Sequence, residues 1–297
     1  MTVQAPESLL ATGELTAVGV PSQQEASRAA RVRRSLEWSL PLAFLVILTA
    51  ACFLWPLIHR IPSPVGGNLT TPLLPPLSRG ALFGTDQVGN DVFSRILYGG
   101  RVSLEVGLGT TAIGLVVGGL LGMTALKGGI LEAVVMRVLE VFLAFPSLVL
   151  AIVVATYLGP SELHVIWAIS FFTIPAFARL ARAQTLRLRS QTFIVASRLT
   201  GTPDRRILLR HLVPNVAPQL LTFGLLGVGV AIMVEASLSF LGLGVPPPNP
   251  SWGNMIASGQ TDLTSDPYLV LVPVAFLFAT VLCLNLLGDA FRSRQGS

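Results

Sequence analysis

The chain has 297 residues, of which 52% are hydrophobic and only 12% charged, and its mean hydropathy is +0.70. These values exclude an ordinary water-soluble domain and a disordered chain. The net charge of +5 does not point to nucleic acid, because the arginines sit beside apolar runs rather than on a soluble basic face.

Residues 1–37 read as a polar, Ala/Ser/Gln-rich tail without fixed structure. No short apolar run followed by small residues marks a removable signal peptide there. Six stretches then match the ~20 apolar residues that a helix needs to cross a ~30 Å hydrocarbon core. They are 38–58, 102–126, 133–158, 163–181, 216–240 and 268–288. The runs are continuous rather than alternating, which argues for helices and against a β-barrel. The expected fold is an all-α integral membrane protein with six transmembrane helices.

Charge orients the spans. Arg28, Arg31, Arg33 and Arg34 precede the first, and Arg292 and Arg294 follow the last. Between the fourth and fifth lie Arg182, Arg187, Arg189, Arg198, Arg205, Arg206 and Arg210, whereas residues 241–267 hold no Lys or Arg. The positive-inside rule puts both termini and the Arg-rich loop in the cytoplasm. The chain divides into a cytoplasmic tail over 1–37, a first span with its external loop and amphipathic segment over 38–101, a five-helix core over 102–292 with a loop at 183–213, and a short tail over 293–297.

After the first span, residues 61–80 are dense in Pro and Gly and read as irregular loop. The following stretch predicts a short amphipathic helix at the membrane surface, capped by Thr85 or Asp86 and carrying Val92, Phe93, Ile96 and Leu97 on its apolar stripe. In the second span Gly107, Gly114, Gly118 and Gly122 share one helical face. Such a face suits close packing inside the bundle or against a partner subunit. Pro146 in the third span, Pro175 in the fourth, and Pro214 and Pro218 at the start of the fifth each remove a helical hydrogen bond and predict kinks. Arg101 with Glu105, and Arg137 with Glu140, have the spacing of helical ion pairs.

The loop IVASRLTGTPDRRILLRHLVPN, residues 194–215, predicts a short helix ended by a left-handed cap at Gly201. A second helix restarts at once: Thr202 caps, Pro203 takes the first turn and Asp204 favours the positive helix end. Helix, Gly, capped helix and span make a rigid knob.

Cys52 and Cys283 fall inside apolar spans, and His59, His164 and His211 lie in unrelated segments, so neither a disulfide framework nor a metal site is expected. Lys127 is the only lysine, and its surroundings (ALKGG) complete no phosphate-binding loop. No zinc-protease or serine-hydrolase motif is present. An intramembrane enzyme therefore lacks its chemistry. A secondary transporter would show an internal repeat, and none is evident.

Three blocks together resemble the permease subunits of ATP-binding-cassette importers for dipeptides, oligopeptides and nickel, specifically the C-type permease of the pair. The first is GTDQVGNDVFSRILYGGRVSLEVGL, with Gly84, Thr85, Asp86, Gly89, Asp91, Ser94 and Arg95. The second is the loop over 195–215, similar to the EAA coupling loop. The third, EASLSFLGLGVPPPNPSWGNMI followed by NLLGDAFR at 285–292, is the most specific. Where the family pattern has Glu-Ala-Ala, this chain has Val195, Ala196 and Ser197, and Asn90 stands where a basic residue is common.

The resemblance implies a non-enzymatic transport subunit of the bacterial cell membrane that moves peptides, nickel chelates or another small solute by alternating access. Its implied partners are a second, homologous permease, two ATPase subunits, an extracellular or lipid-anchored solute-binding protein and membrane lipid. ATP and Mg would sit on the ATPases and no cofactor on this chain. The expected coupling residues are Phe193, Ile194, Val195, Ala196, Ser197, Arg198, Leu199, Thr200 and Gly201. Ile194 and Leu199 would be apolar anchors and Arg198, Arg205 and Arg206 rim charges. Glu235 is expected to face the pathway, meeting a peptide's amino terminus or a basic group on the second permease. Pro250, Trp252 and Asn254 are expected to shape an external gate or touch the binding protein, with Trp252 as an interfacial anchor the alternative.

Overall fold

The computed structural model describes residues 23–54, 63–78 and 80–295, and every regular element among them is helical. In chain order these are α1 (Gln23–Phe53), α2 (Val92–Leu126), α3 (Gly129–Leu143), α4 (Ser147–Leu158) and α5 (Glu162–Arg189). They continue with α6 (Thr192–Leu199), α7 (Asp204–Phe240), α8 (Trp252–Gly259) and α9 (Tyr268–Gln295). The all-α membrane fold is as expected. Four helices, α2, α5, α7 and α9, are each long and apolar enough to cross a membrane.

Several boundaries differ from the sequence reading. Helix α1 starts at Gln23, so residues 23–37 are helical rather than without structure. Its Ala- and Arg-rich start is made of strong helix formers that continue into the apolar stretch. Residues 1–22, and the end of the first expected span at 55–58, lie outside the described residues.

No separate amphipathic helix precedes the second span. Asp91, not Thr85 or Asp86, is the N-cap, accepting the Ser94 amide at 2.8 Å. From there α2 runs 35 residues, about 52 Å at 1.5 Å per residue, so it overshoots a ~30 Å core. Thr85 and Asp86 serve the preceding turn instead. The Thr85 hydroxyl donates to the Thr71 carbonyl, and Asp86 accepts the Val88 and Asn90 amides.

The third expected span is not one rod. Helices α3 and α4 meet at 88°. Pro146 is extended (φ −57°, ψ 125°). It has no N–H to continue α3, and it bars its predecessor from helical geometry. The other prolines do not break their helices: Pro175 lies within α5 and Pro218 within α7. A π turn at Leu208–Leu212 precedes Pro214 and carries the chain past it. The fourth span is two turns longer than expected and the fifth starts at Asp204, so the 183–213 loop is mostly helical.

Helix α7 is central and packs on α2 and α9, while α5 covers the second half of α2 and α1 lies against α9. The glycine face of α2 makes the α2–α5 seam. A Cβ at Gly114 would lie 2.8 Å from the Phe177 ring, one at Gly118 would run into the Ile174 carbonyl, and one at Gly122 into that of Ala178. Gly107 meets Ile232 of α7 in the same way, at 2.7 Å. The small-residue stripe is thus spent inside the chain, where close backbone approach replaces side-chain bulk.

Candidate functional site

Two structured regions stand at opposite ends of α7, which at 37 residues is about 55 Å long. One is α6, at the start of α7. The other is the segment leading into α8, at its end.

At the first end, α6 finishes as the sequence requires. Gly201 has φ +74°, its amide donates to the Arg198 carbonyl and the Thr202 amide to that of Ser197, each at 3.0 Å. This pair of bonds is a Schellman motif. The restart differs in detail, because Pro203 rather than Thr202 holds the N-cap position, with Asp204 in the first turn as expected.

Helix α6 has an inner and an outer face. Ile194 is fully buried among Met123, Leu126, Ala181, Ile207 and Leu212, so it anchors α6 to its own chain rather than to a partner. Arg198 is no free rim charge. Its Nη2 donates to the Leu126 carbonyl at 2.6 Å, and Arg189 Nη1 donates to the Ala125 carbonyl at 3.2 Å. These carbonyls end α2, where four acceptors lack helical partners and the helix dipole favours cations. One guanidinium from α6 and one from the end of α5 therefore tie these helices to the end of α2. Arg182 Nε adds an ion pair to Glu132 of α3 at 2.7 Å.

The outer face is apolar. Leu199 is 84% exposed, and Phe193, Val195 and Ala196 are exposed beside it. Ser197 and Thr200 turn their hydroxyls back to the carbonyls of Phe193 and Ser197. Arg205 and Arg206 are exposed, as expected of rim charges.

At the second end, α7 closes with another Schellman pair, Gly242 (φ +78°) to Ser239 and Leu243 to Leu238. The chain then turns through a proline-rich segment into α8. Ser251 and Asn254 form a capping box: the Ser251 hydroxyl accepts the Asn254 amide and the Asn254 carbonyl oxygen accepts the Ser251 amide. The Asn254 amide group also donates to the Val245 and Asn249 carbonyls, bracing the proline-rich turn.

Trp252 and Pro250 are buried. Trp252 lies in a cradle of α2, where a Cβ on Gly100 would stand 2.7 Å from the indole and one on Gly99 3.2 Å from Ser251. Its Nε1 donates to the Ile96 carbonyl at 3.1 Å. Trp252 is consequently neither an interfacial anchor nor a side chain that touches a partner: it is a plug that holds the segment in shape.

Glu235 also turns inward. It is 0% exposed and bonded to serine hydroxyls, so it meets neither a peptide amine nor a partner's basic group in this arrangement. Sequence reasoning missed Ser103, Ser239, Ser251 and Arg189. The Ser-x-x-Asn of a capping box and the i, i+4 spacing of Glu235 and Ser239 were the available signals.

The segment before α2 completes this end. Asn90, where a basic residue is common, accepts the Gly67 amide and donates to Asp86, which also pairs with Arg95 at 3.5 Å. Gln87 reaches across to the Ser258 carbonyl and Thr261 hydroxyl, and Tyr268 OH to the Leu74 and Thr85 carbonyls. The expected pairs are formed: Arg101 with Glu105 at 2.8 Å and Arg137 with Glu140 at 3.1 Å.

Apolar helices long enough to cross a bilayer, packed around α7, are the architecture of a multi-pass membrane protein. Residues 114–296, more than half of the chain, match the family described as binding-protein-dependent transport system inner membrane component, and the chain belongs to it. It is similar to the glutathione transport system permease protein GsiD of Pectobacterium atrosepticum, 41% identical over 210 residues and 70% of each chain. The GsiD of Shigella dysenteriae serotype 1 is 44% identical over 211 residues, covering 71% of this chain and 70% of that one. The fold is also similar to an inward-facing structure of the MetNI methionine ABC transporter, with TM-score 0.56, 17% identity and coverage of 68% of this chain and 96% of that chain. The protein is a multi-pass permease subunit of a binding-protein-dependent ABC importer.

Proposed function

We propose that this chain forms half of the pore of an importer for di- and oligopeptides and that α6 is the element through which separate ATPase subunits drive it. One observation carries the coupling role: α6 offers Phe193, Val195 and Leu199 outward while Ile194 and Arg198 fix its inner side to α2 and α7. A helix so clamped transmits a push on its outer face into two spans instead of bending away.

Val195 replaces the family's acidic position and extends the outward apolar surface by one turn from Leu199. Docking in this chain therefore relies on apolar contact at that position rather than on an ion pair. The positive-inside rule puts α6 and both termini in the cytoplasm and the α8 end outside. Counting α1, the bent α3–α4 pair, α2, α5, α7 and α9 gives six spans.

A second homologous permease, two ATPases carrying ATP and Mg, and an extracellular or lipid-anchored solute-binding protein complete the transporter in the bacterial cell membrane. This chain itself does no covalent chemistry and binds no cofactor. Peptide cargo is supported by the relatives named for glutathione, itself a tripeptide.

Photo-cross-linking tests the docking face. A photoreactive residue at 199 in the assembled transporter is expected to label an ATPase subunit, while one at the buried position 194 labels only this chain. Labelling of the binding protein from position 199 would overturn the assignment.

A further inference from the structure

Glu235 is a fully buried carboxyl group, and the described residues include no ion pair to it. Its partners come from three places. Ser103 Oγ of α2 donates to Oε2 at 2.8 Å, Ser239 Oγ of α7 donates to Oε1 at 2.7 Å, and the Ser251 hydroxyl at the start of α8 lies beside the same carboxyl group.

Two of these hydroxyls also accept backbone amides. Ser239 Oγ accepts the Val245 amide and Ser251 Oγ accepts the Asn254 amide, both at 3.3 Å. Ser239 therefore ties the carboxyl group to the 241–254 backbone through one side chain. Each carboxyl oxygen is thus held by a hydroxyl from a different helix, Oε2 by α2 and Oε1 by α7. The surroundings are keyed as closely as the bonds. A Cβ on Gly253 would lie 2.6 Å from Ala236 Cα, and Gly244 has room for none beside Ser239.

We infer that Glu235 is a positioning residue for the 241–254 segment: its carboxyl group is the hub that locks α2, α7 and this segment into one body, so that the Trp252 plug travels with the two spans instead of opening as a separate flap. The inference rests on the permease reading above and assigns no contact with cargo.

The test uses the full transporter with its second permease, ATPases and binding protein, comparing wild type with Glu235→Gln, Glu235→Ala and Ser103→Ala. Gln keeps the shape but replaces one acceptor oxygen by a donor. Amide exchange over 241–254 is expected to quicken about tenfold in the Gln variant, as for loss of one buried hydrogen bond, while exchange over 192–203 stays unchanged. The ratio of binding-protein-stimulated to unstimulated ATP hydrolysis should fall at least about threefold by the same reasoning.

A loss of packing alone would lower both rates with the amount of assembled complex and leave that ratio where it was. Wild-type exchange and a wild-type ratio in the Gln variant would overturn the hub. If the Ala variant fails to assemble, the Gln and Ser103→Ala variants decide the question. Failure of the wild-type complex to import cargo with ATP would count against the permease reading, whereas the exchange measurement would still read the hub.

Discussion

Gly201→Ala isolates the left-handed cap of α6 from every other effect. Gly201 has φ +74°, and nothing lies within 4 Å of where its Cβ would stand. Alanine therefore adds no clash, only the cost of an L-residue in left-handed geometry, about 1–2 kcal/mol. Stiffening of the unfolded chain offsets about 0.4–1 kcal/mol of this. A net loss near 1 kcal/mol is roughly a fivefold rise in the open population of the cap. Asparagine, which tolerates the left-handed region, should cost less. Proline costs more, because it also deletes the Gly201 amide that donates to Arg198. Amide exchange resolved at Thr202 reads the cap directly, and ATP hydrolysis stimulated by the binding protein reads its consequence. The expected order of exchange is wild type, Asn, Ala, Pro, from slow to fast, with stimulation falling in the same order. Wild-type exchange in the Ala variant, or a worse outcome for Asn than for Ala, would refute the reasoning.

Trp252→Ala empties a buried cradle and should destabilise the purified complex by about 3–5 kcal/mol, seen as a lower thermal midpoint. Trp252→Phe, which chiefly loses the bond to Ile96, should cost only about 1–2 kcal/mol. Gly118→Ala drives a Cβ into the Ile174 carbonyl and should cut the yield of assembled complex, whereas Gly109→Ala, with 3.4 Å to Ile166, should not. Arg198→Glu removes a donor from the Leu126 carbonyl and sets a negative charge at the negative end of α2; a loss of about 1–3 kcal/mol is expected in local exchange of α6, with Arg198→Lys intermediate.

Much of this architecture was legible in the sequence because its signals are local. Apolar runs long enough to span a bilayer announced the helical membrane fold. Gly201 followed by Thr-Pro-Asp announced a stop and a restart, and both are formed. The glycine stripe of α2 was visible, although only the structure shows that it meets α5. What stayed hidden depends on contacts distant in sequence. Ile194 looks like a surface residue of a short helix, and Arg198 like a free charge, until α2 ends beneath them. Trp252 and Glu235 look like interfacial and pathway groups until Gly99, Gly100 and Ser103, well over a hundred residues earlier, close around them. Proline was an uneven guide: Pro146 bends its span as expected, by 88°, while Pro175 leaves α5 continuous.

The most direct test of the central claim is uptake of labelled peptide into proteoliposomes holding this chain with its second permease, with and without the ATPase subunits, supplied with the binding protein at the α8 face. Accumulation that needs the ATPases, needs ATP at the α6 face and is lost in Gly201→Pro is the expected result. Accumulation driven by an ion gradient without the ATPases, or ATP-driven uptake unaffected by Gly201→Pro, would contradict it.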